Sequence, residues 1–266
     1  MTAAIDIGRV LLPADFARPF SFYGEHLDAL LSLDVPLVVY GDPDMPVPAS
    51  PAARQVVPTD HISLERFRHF NLVQSIRSNP AWRDGAPWLA ASPQAGLAHY
   101  NPLVMSKLDW LARVASENPF GTNNFVWIDA GITHTVPLEL IRAALAGTAL
   151  KKHLTRFLVL TYPYAANHEV HGFDHGEMAR LSGVSRIEWV ARGGFFGGDA
   201  GYIREAARLY DAMLEHTLSA GLMGTEENVL TILAHLHPGL FERYCLESDG
   251  LVKPFFADMA SGGGTR

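Results

Sequence analysis

The sequence predicts an α/β protein with a mainly parallel central sheet and helices on both faces. Three observations carry that expectation. Apolar, β-branched runs recur without polar alternation, as in strands covered on both sides. Segments with a helical apolar period lie between those runs, so strand and helix alternate. The chain has 266 residues, 48% of them hydrophobic, enough for a sizeable core, and its 18% charged content argues against bulk disorder.

The elements follow in chain order. A helical pattern over about residues 22–33 leads into a strand at 35–40. The Pro-rich stretch 42–58 reads as a long surface loop. Asp60 is placed to cap a helix carrying Ile62, Phe67, Val73 and Ile76. Asn101-Pro102, a cap followed by proline at the first helical position, opens a helix with Leu108, Leu111 and Ala115 on one stripe. A strand at 125–128, a helix from Pro137 to Gly147, and strands at 157–160 and 187–191 come next. A helix after Asp199 carries Ile203, Ala207, Tyr210 and Leu214 and stops before Gly221; another follows Thr225. No repeat or interdomain linker is visible, so residues 1–259 read as one domain and 260–266 as a flexible tail.

Composition narrows the partners. The formal charge is −7, the pI is about 5.9 and no long Lys/Arg run exists, so nucleic acid is not favoured as a ligand. The single cysteine, Cys245, cannot form an internal disulfide and is expected to pack near a helix end. No apolar run reaches membrane-spanning length, and the first residues lack a basic segment before an apolar one. The expectation is a cytoplasmic protein with no membrane span.

Ligands of such sheets bind beyond the carboxyl ends of the strands. Asp129 stands where the 125–128 strand leaves the core, and a carboxylate there suits a divalent cation or a turn cap. The block Gly193-Gly194-Phe195-Phe196-Gly197-Gly198-Asp199 lets backbone approach a ligand closely, with Asp199 either on sugar hydroxyls or capping the next helix. Glu226-Glu227 complement a helix N-terminus, and one of them also suits an anomeric centre that develops positive charge. Arg9 and Lys107 are candidate partners for a diphosphate. His235 and His237 are candidate late metal ligands. A competing cluster, His168-Glu169-Val170-His171 with Asp174-His175, has donors suited to zinc.

Several of these segments resemble the HtrL/YibB family: Asp6-Ile7-Gly8-Arg9, His99-Tyr100-Asn101 through Ser106-Lys107, Asn118-Pro119-Phe120, Trp127 through Gly131, and Gly194 through Gly198. That resemblance covers most of the chain and implies a GT-A-like, glycosyltransferase-type fold. The order of the glycine-aromatic block, a helix and Glu226-Glu227 is similar to the C-terminal half of the retaining histo-blood-group A/B transferases. This second likeness implies a metal-dependent enzyme using a UDP-sugar, with the Gly194, Phe195, Phe196, Gly197, Gly198 block and Asp199 around the sugar. It puts Glu227 beside the anomeric carbon and Glu226 next to it. The Asp-Xaa-Asp metal motif of those enzymes corresponds to Asp129-Ala130-Gly131, in which Gly131 replaces the second carboxylate. His235 or His237 is then the candidate for the missing ligand.

The sequence reading is therefore a retaining glycosyltransferase with a nucleotide-sugar donor. Asp129 would anchor Mn²⁺ or Mg²⁺, and the acceptor would be a glycan, a protein or a modified base. A metal-dependent hydrolase built on the 168–175 loop, and a catalytically degenerate glycan- or partner-binding fold, are the alternatives.

Overall fold

The computed structural model describes residues 1–42, 52–165, 168–247 and 250–263. Its strands are β1 (Thr2–Ala4), β2 (Leu37–Gly41), β3 (Arg54–Pro58), β4 (Asn124–Ile128), β5 (Phe157–Pro163), β6 (Glu169–Val170), β7 (Phe173–Asp174), β8 (Trp189–Asp199) and β9 (Phe241–Cys245). The first helices are α1 (Phe20–Leu31), α2 (His61–Glu65), α3 (Phe70–Arg77), α4 (Pro80–Arg83), α5 (Pro93–Gly96) and α6 (Tyr100–Glu117). The later ones are α7 (Leu138–Ala146), α8 (Thr148–His153), α9 (His175–Leu181), α10 (Ala200–Ser219), α11 (Glu226–Leu236) and α12 (Lys253–Ala260).

Two sheets, β1-β2-β3 and β4-β8-β5-β9, join through one residue. The Met1 nitrogen donates to Val126 O at 2.7 Å, and Met1 O accepts from Ile128 N at 2.9 Å, a parallel bridge between β1 and β4. The strand order is thus β3-β2-β1-β4-β8-β5-β9. Every strand in it points the same way except β8, which is antiparallel to both β4 and β5.

Alternation along the strands divides the core between two faces. Phe125, Trp127, Phe157, Val159 and Phe196 pack with Val104, Leu108 and Leu111 of α6 and Ile203, Tyr210 and Leu214 of α10. Ile128, Leu158, Leu160 and Phe195 pack with Ile141 of α7 and Phe255, Phe256 and Met259 of α12. Helices therefore cover both faces, as the unalternating apolar runs require.

Several expectations change. Part of the 42–58 stretch is strand β3, paired with β2 from Leu37↔Arg54 to Gly41↔Pro58; residues 43–51 lie outside the described residues. The helix expected after Asp60 is two helices, α2 and α3. Asp60 does cap the first of them, accepting from Ser63 N at 2.8 Å. Cys245 is exposed at the end of β9, not packed near a helix end. The C-terminal helix α12 runs through Ala260, one residue beyond the expected domain end, and residues 264–266 of the expected tail are outside the described set.

The glycine-aromatic block lies within strand β8. Its glycines answer two different needs. At Gly197 and Gly198 the neighbouring strands come so close that a Cβ would lie 2.2 Å from Phe125 O and 2.1 Å from Arg156 O respectively. At the other end, β8 loses register with β5: Val159 pairs Phe196, but Leu160 pairs Arg192. Residues 193–195 form a bulge against β5, which takes Gly193 and Gly194 out of that ladder while Gly194 O still accepts from Asp129 N.

Candidate active site

The bulge opens into a cleft of about 650 Å³ lined by residues far apart in sequence. Asp129, Lys107, Gly193, Gly194, Glu226 and Glu227 line it, with Arg9 toward the segment that follows β1. The carboxyl ends of β1 and β4 feed this cleft, as the direction of the parallel strands dictates.

Each acidic group is fixed by its element. Asp129 is the first residue after β4; its N–H donates to Gly194 O at 2.9 Å, tying the strand end to the bulge. Trp127 Nε1 donates to Asp129 Oδ1 at 2.6 Å. Lys107 reaches the same place from within α6. Its Nζ lies 2.9 Å from Asp129 Oδ1, 2.7 Å from Glu226 Oε1 and 3.1 Å from Gly193 O. An ammonium has three donors, and here all three meet protein oxygens. A Cβ at Gly193 would come 2.1 Å from Glu226 Oε1, so a side chain there would displace that carboxylate from Lys107.

Glu226 and Glu227 occupy the first turn of α11 and face different partners. Thr231 holds the helix against β8, accepting from Ala191 N at 2.9 Å and donating to Glu227 O at 2.6 Å. Asn228 accepts from Thr225 N and donates to Val170 O, both at 2.7 Å, so the helix start is bound to the β6–β7 hairpin. Glu227 Oε1 accepts from Gly193 N at 2.7 Å, and Oε2 lies 3.1 Å from His171 Nδ1. His171 Nε2 in turn lies 3.1 Å from Tyr162 OH.

His171 sits in the two-residue hairpin turn with φ +52°, followed by Gly172 at +89°, the pattern of a type I′ turn. A non-glycine residue in the left-handed region is uncommon, and here it aims an imidazole at Glu227. Sequence reasoning placed His171 in a zinc cluster and did not connect it with Glu227. The His-Gly pair was the signal for the turn. Arg192 also lines the cleft; its guanidinium stacks on Tyr162 at 4.6 Å and Nε donates to Gly250 O. Its position immediately before the glycine block was a signal left unread.

Burial splits the acidic pair. For Glu227, burial raises the pKa, but the His171 hydrogen bond and charge, Arg192 and the Gly193 N–H overcome it and hold the group at about 2. For Glu226, burial prevails over the Lys107 attraction, Glu227 adds repulsion, and the group is pushed up to about 7. Burial disfavours the Lys107 charge, yet Asp129 and Glu226 raise its pKa above the usual value and keep it protonated. Burial likewise lowers His171, and Glu227 more than offsets it, so His171 lies above 6.5.

The raised Glu226 value has a signed consequence for stability. A folded-state pKa above the unfolded 4.5 stabilises below pH 4.5 and loses that contribution as pH rises through about 7. Wild type is expected to lose up to about 3 kcal/mol relative to Glu226→Gln between pH 4.5 and 8. Denaturant midpoints of both proteins across that range check it; a constant gap contradicts the raised value.

Other expected site residues lie elsewhere. Phe195 is buried under α12, with ring centroids 5.4 Å from Phe255 and 5.1 Å from Phe256. Phe196 is buried on the opposite face, stacked toward Trp127. Neither walls the cleft, and Gly197 and Gly198 serve strand packing. Asp199, at the far end of β8, caps α10 by accepting from Gly201 N at 2.8 Å. It lies six positions along the strand from Gly193, about 20 Å. His235 is stacked on Trp189 at 4.0 Å, eight residues and about 12 Å along α11 from Glu227. His237 follows the end of that helix.

These positions bear on the metal implied by the resemblance. Neither His235 nor His237 can join Asp129, and Gly131 has no carboxylate to offer. The space between Asp129 and Glu226 holds the Lys107 ammonium. Among the described residues no group of three or more His, Cys, Asp or Glu side chains is arranged to hold a metal ion. The residues present do not fit a divalent cation at Asp129. The 168–175 loop does not assemble a zinc site either. Glu169 accepts from Trp88 Nε1 and Gly172 N, His171 turns to Glu227, and Asp174 caps α9 by accepting from Glu177 N.

Among the described residues no helix is long and apolar enough to cross a membrane. No family model matches the chain, and no curated protein matches it. Among solved structures, it is similar to the crystal structure of mouse xyloside xylosyltransferase 1 in its apo form. The TM-score is 0.43 at 11% identity, over 91% of this chain and 83% of that one. A likeness of that degree says nothing about donor or acceptor. The fold is α/β, with one reversed strand and a cleft at the parallel strand ends; no family model supports membership of HtrL/YibB or of the histo-blood-group A/B transferases.

Proposed function

We propose that the chain is a glycosyltransferase that binds a nucleotide-diphosphate sugar in this cleft and transfers the sugar with retention, UDP being the favoured nucleotide. The observation that supports this reading most is the position of Glu227. It is an ionised carboxylate, fixed by two donors, in the same cleft as Arg9, Lys107, Asp129 and the Gly193–Gly194 bulge.

In this reading the diphosphate lies toward Arg9 and Arg192, whose guanidiniums supply charge-assisted donors. The backbone of Gly194 allows close approach, since a Cβ there would meet nothing nearer than Asp129 Oδ2 at 3.8 Å. As the bond from the anomeric carbon to the diphosphate breaks, its electron pair leaves with the phosphate and the sugar gains oxocarbenium character. Glu227 stabilises that charge without first having to lose a proton or reorient. The acceptor is a glycan, a protein side chain or a modified base.

A thermal-shift screen of nucleotide sugars tests the reading. A true donor at a hundred times its Kd adds about 2.7 kcal/mol to stability, a rise of roughly 5–10 °C for a chain of this size. A panel of UDP-, GDP-, ADP-, CMP- and dTDP-sugars that leaves the midpoint unmoved contradicts it.

A further inference from the structure

We infer that Lys107 is a built-in cation that holds the place of a divalent metal, so that nucleotide-diphosphate binding in this cleft is metal-independent. The inference rests on the proposed nucleotide-sugar reading and names how that site is charged. Three observations carry it. The ammonium lies between the two carboxylates that face it, 2.9 Å from Asp129 and 2.7 Å from Glu226, with Gly193 O at 3.1 Å. Carboxylates and carbonyls are the kind of oxygen ligand that a hard divalent cation takes, and here two carboxylates and a carbonyl surround one positive charge. Lys107 is itself buried, and the Trp127 ring centroid is 5.7 Å from its Nζ, so the charge is fixed rather than exchangeable.

The substitution has a chemical logic. A metal site needs its carboxylates free and converging on the ion. Here Asp129 Oδ1 accepts from the Trp127 indole, and Oδ2 accepts from Lys107 Nζ at 3.2 Å. A second cation at Asp129 would sit against the ammonium and repel it. Lys107 spends its three donors on the protein, so it organises the bulge and the two acids. Direct contacts to phosphate oxygens then fall to the guanidiniums of Arg9 and Arg192, which line the same cleft. Removing the Lys107 side chain leaves an oxygen-lined space where an ion fits.

The test has two arms. In the first, calorimetric titration of the wild-type protein with UDP, GDP, ADP and dTDP is run in EDTA and again with Mn²⁺. The expected result is that at least one nucleotide binds and its Kd changes by less than about twofold between the two conditions. A Kd about tenfold or more tighter with Mn²⁺ overturns the inference and leaves the transferase reading standing. No binding of any nucleotide under either condition removes both.

In the second arm, Mn²⁺ alone is titrated and followed by electron paramagnetic resonance. Wild type is expected to bind none at the cleft, and Lys107→Ala to gain one bound ion that Glu226→Gln in the same background abolishes. Stoichiometric Mn²⁺ on the wild type, or a folded Lys107→Ala that takes up none, overturns the inference. If Lys107→Ala does not fold, the wild-type measurements decide.

Discussion

Glu227→Gln is expected to keep the fold and donor binding while lowering sugar transfer by about a thousandfold, roughly 4 kcal/mol of transition-state stabilisation. Glutamine is nearly isosteric, and its carbonyl oxygen can still accept from Gly193 N. What disappears is the negative charge beside a centre that becomes positive only as the donor bond breaks. Ground-state binding therefore changes little, and the donor Kd should stay within about threefold of wild type. The wild-type group does not titrate in the working range. Its pKa is held at about 2, so its stabilising contribution is present above pH 4.5 and is lost only as pH falls toward 2. Parallel measurement of donor Kd and of nucleoside diphosphate release settles the role. Near-normal release by the variant removes Glu227 from the mechanism, and equal absence of release from wild type and variant favours a glycan-binding fold without transfer.

The second large effect concerns stability. Gly198→Ala is expected to cost about 3 kcal/mol or more, toward the upper end of overpacking penalties. Its Cβ would lie 2.1 Å from Arg156 O, 2.9 Å from Arg156 C and 3.1 Å from Phe157 Cα, all backbone atoms of a neighbouring segment. No side-chain rotation relieves such a contact, so β8 and β5 must separate. For a chain of this length, that is a fall of roughly 6–12 °C in Tm. Gly194→Ala, four residues earlier, meets nothing nearer than 3.8 Å and should leave Tm within about 2 °C. The same substitution at Gly194 puts a methyl group at the cleft and should weaken donor binding. Calorimetry of the two variants checks the division. Equal Tm losses contradict the view that the block has a packing half and a cleft half.

Much of the site could be read from the residues. The apolar run ending at Asp129 fixes a carboxylate at a strand exit, and the structure has it there. Glu226-Glu227 after Thr225 do begin a helix, and Lys107 lies on the helix expected to carry it. The glycine-aromatic block was legible as unusual but not as a strand. Four glycines in six residues weaken a strand; here Gly197 and Gly198 answer to neighbouring backbones, Gly193 to the Glu226 carboxylate, and Gly194 opens on the cleft. The aromatic pair Phe195-Phe196 followed the ordinary alternation of a strand, one ring into each core face, once that strand was known. Short elements escaped for physical reasons. β3 follows a proline-rich stretch, and two of the five residues of β9 are exposed, so neither shows a clear apolar run. The His171–Glu227 contact joins residues 56 positions apart through a hairpin of two-residue strands, and no local pattern records it.

The central claim is that separated stretches meet around one nucleotide-sugar cleft. Hydrogen–deuterium exchange with and without the best nucleotide sugar tests it most directly. Slowed exchange is expected together in residues 129–131, 192–194 and 225–228, with β9 and the end of α11 around His235 unchanged. Unaltered exchange in those three stretches, or protection confined to the His235 end of the helix, contradicts it.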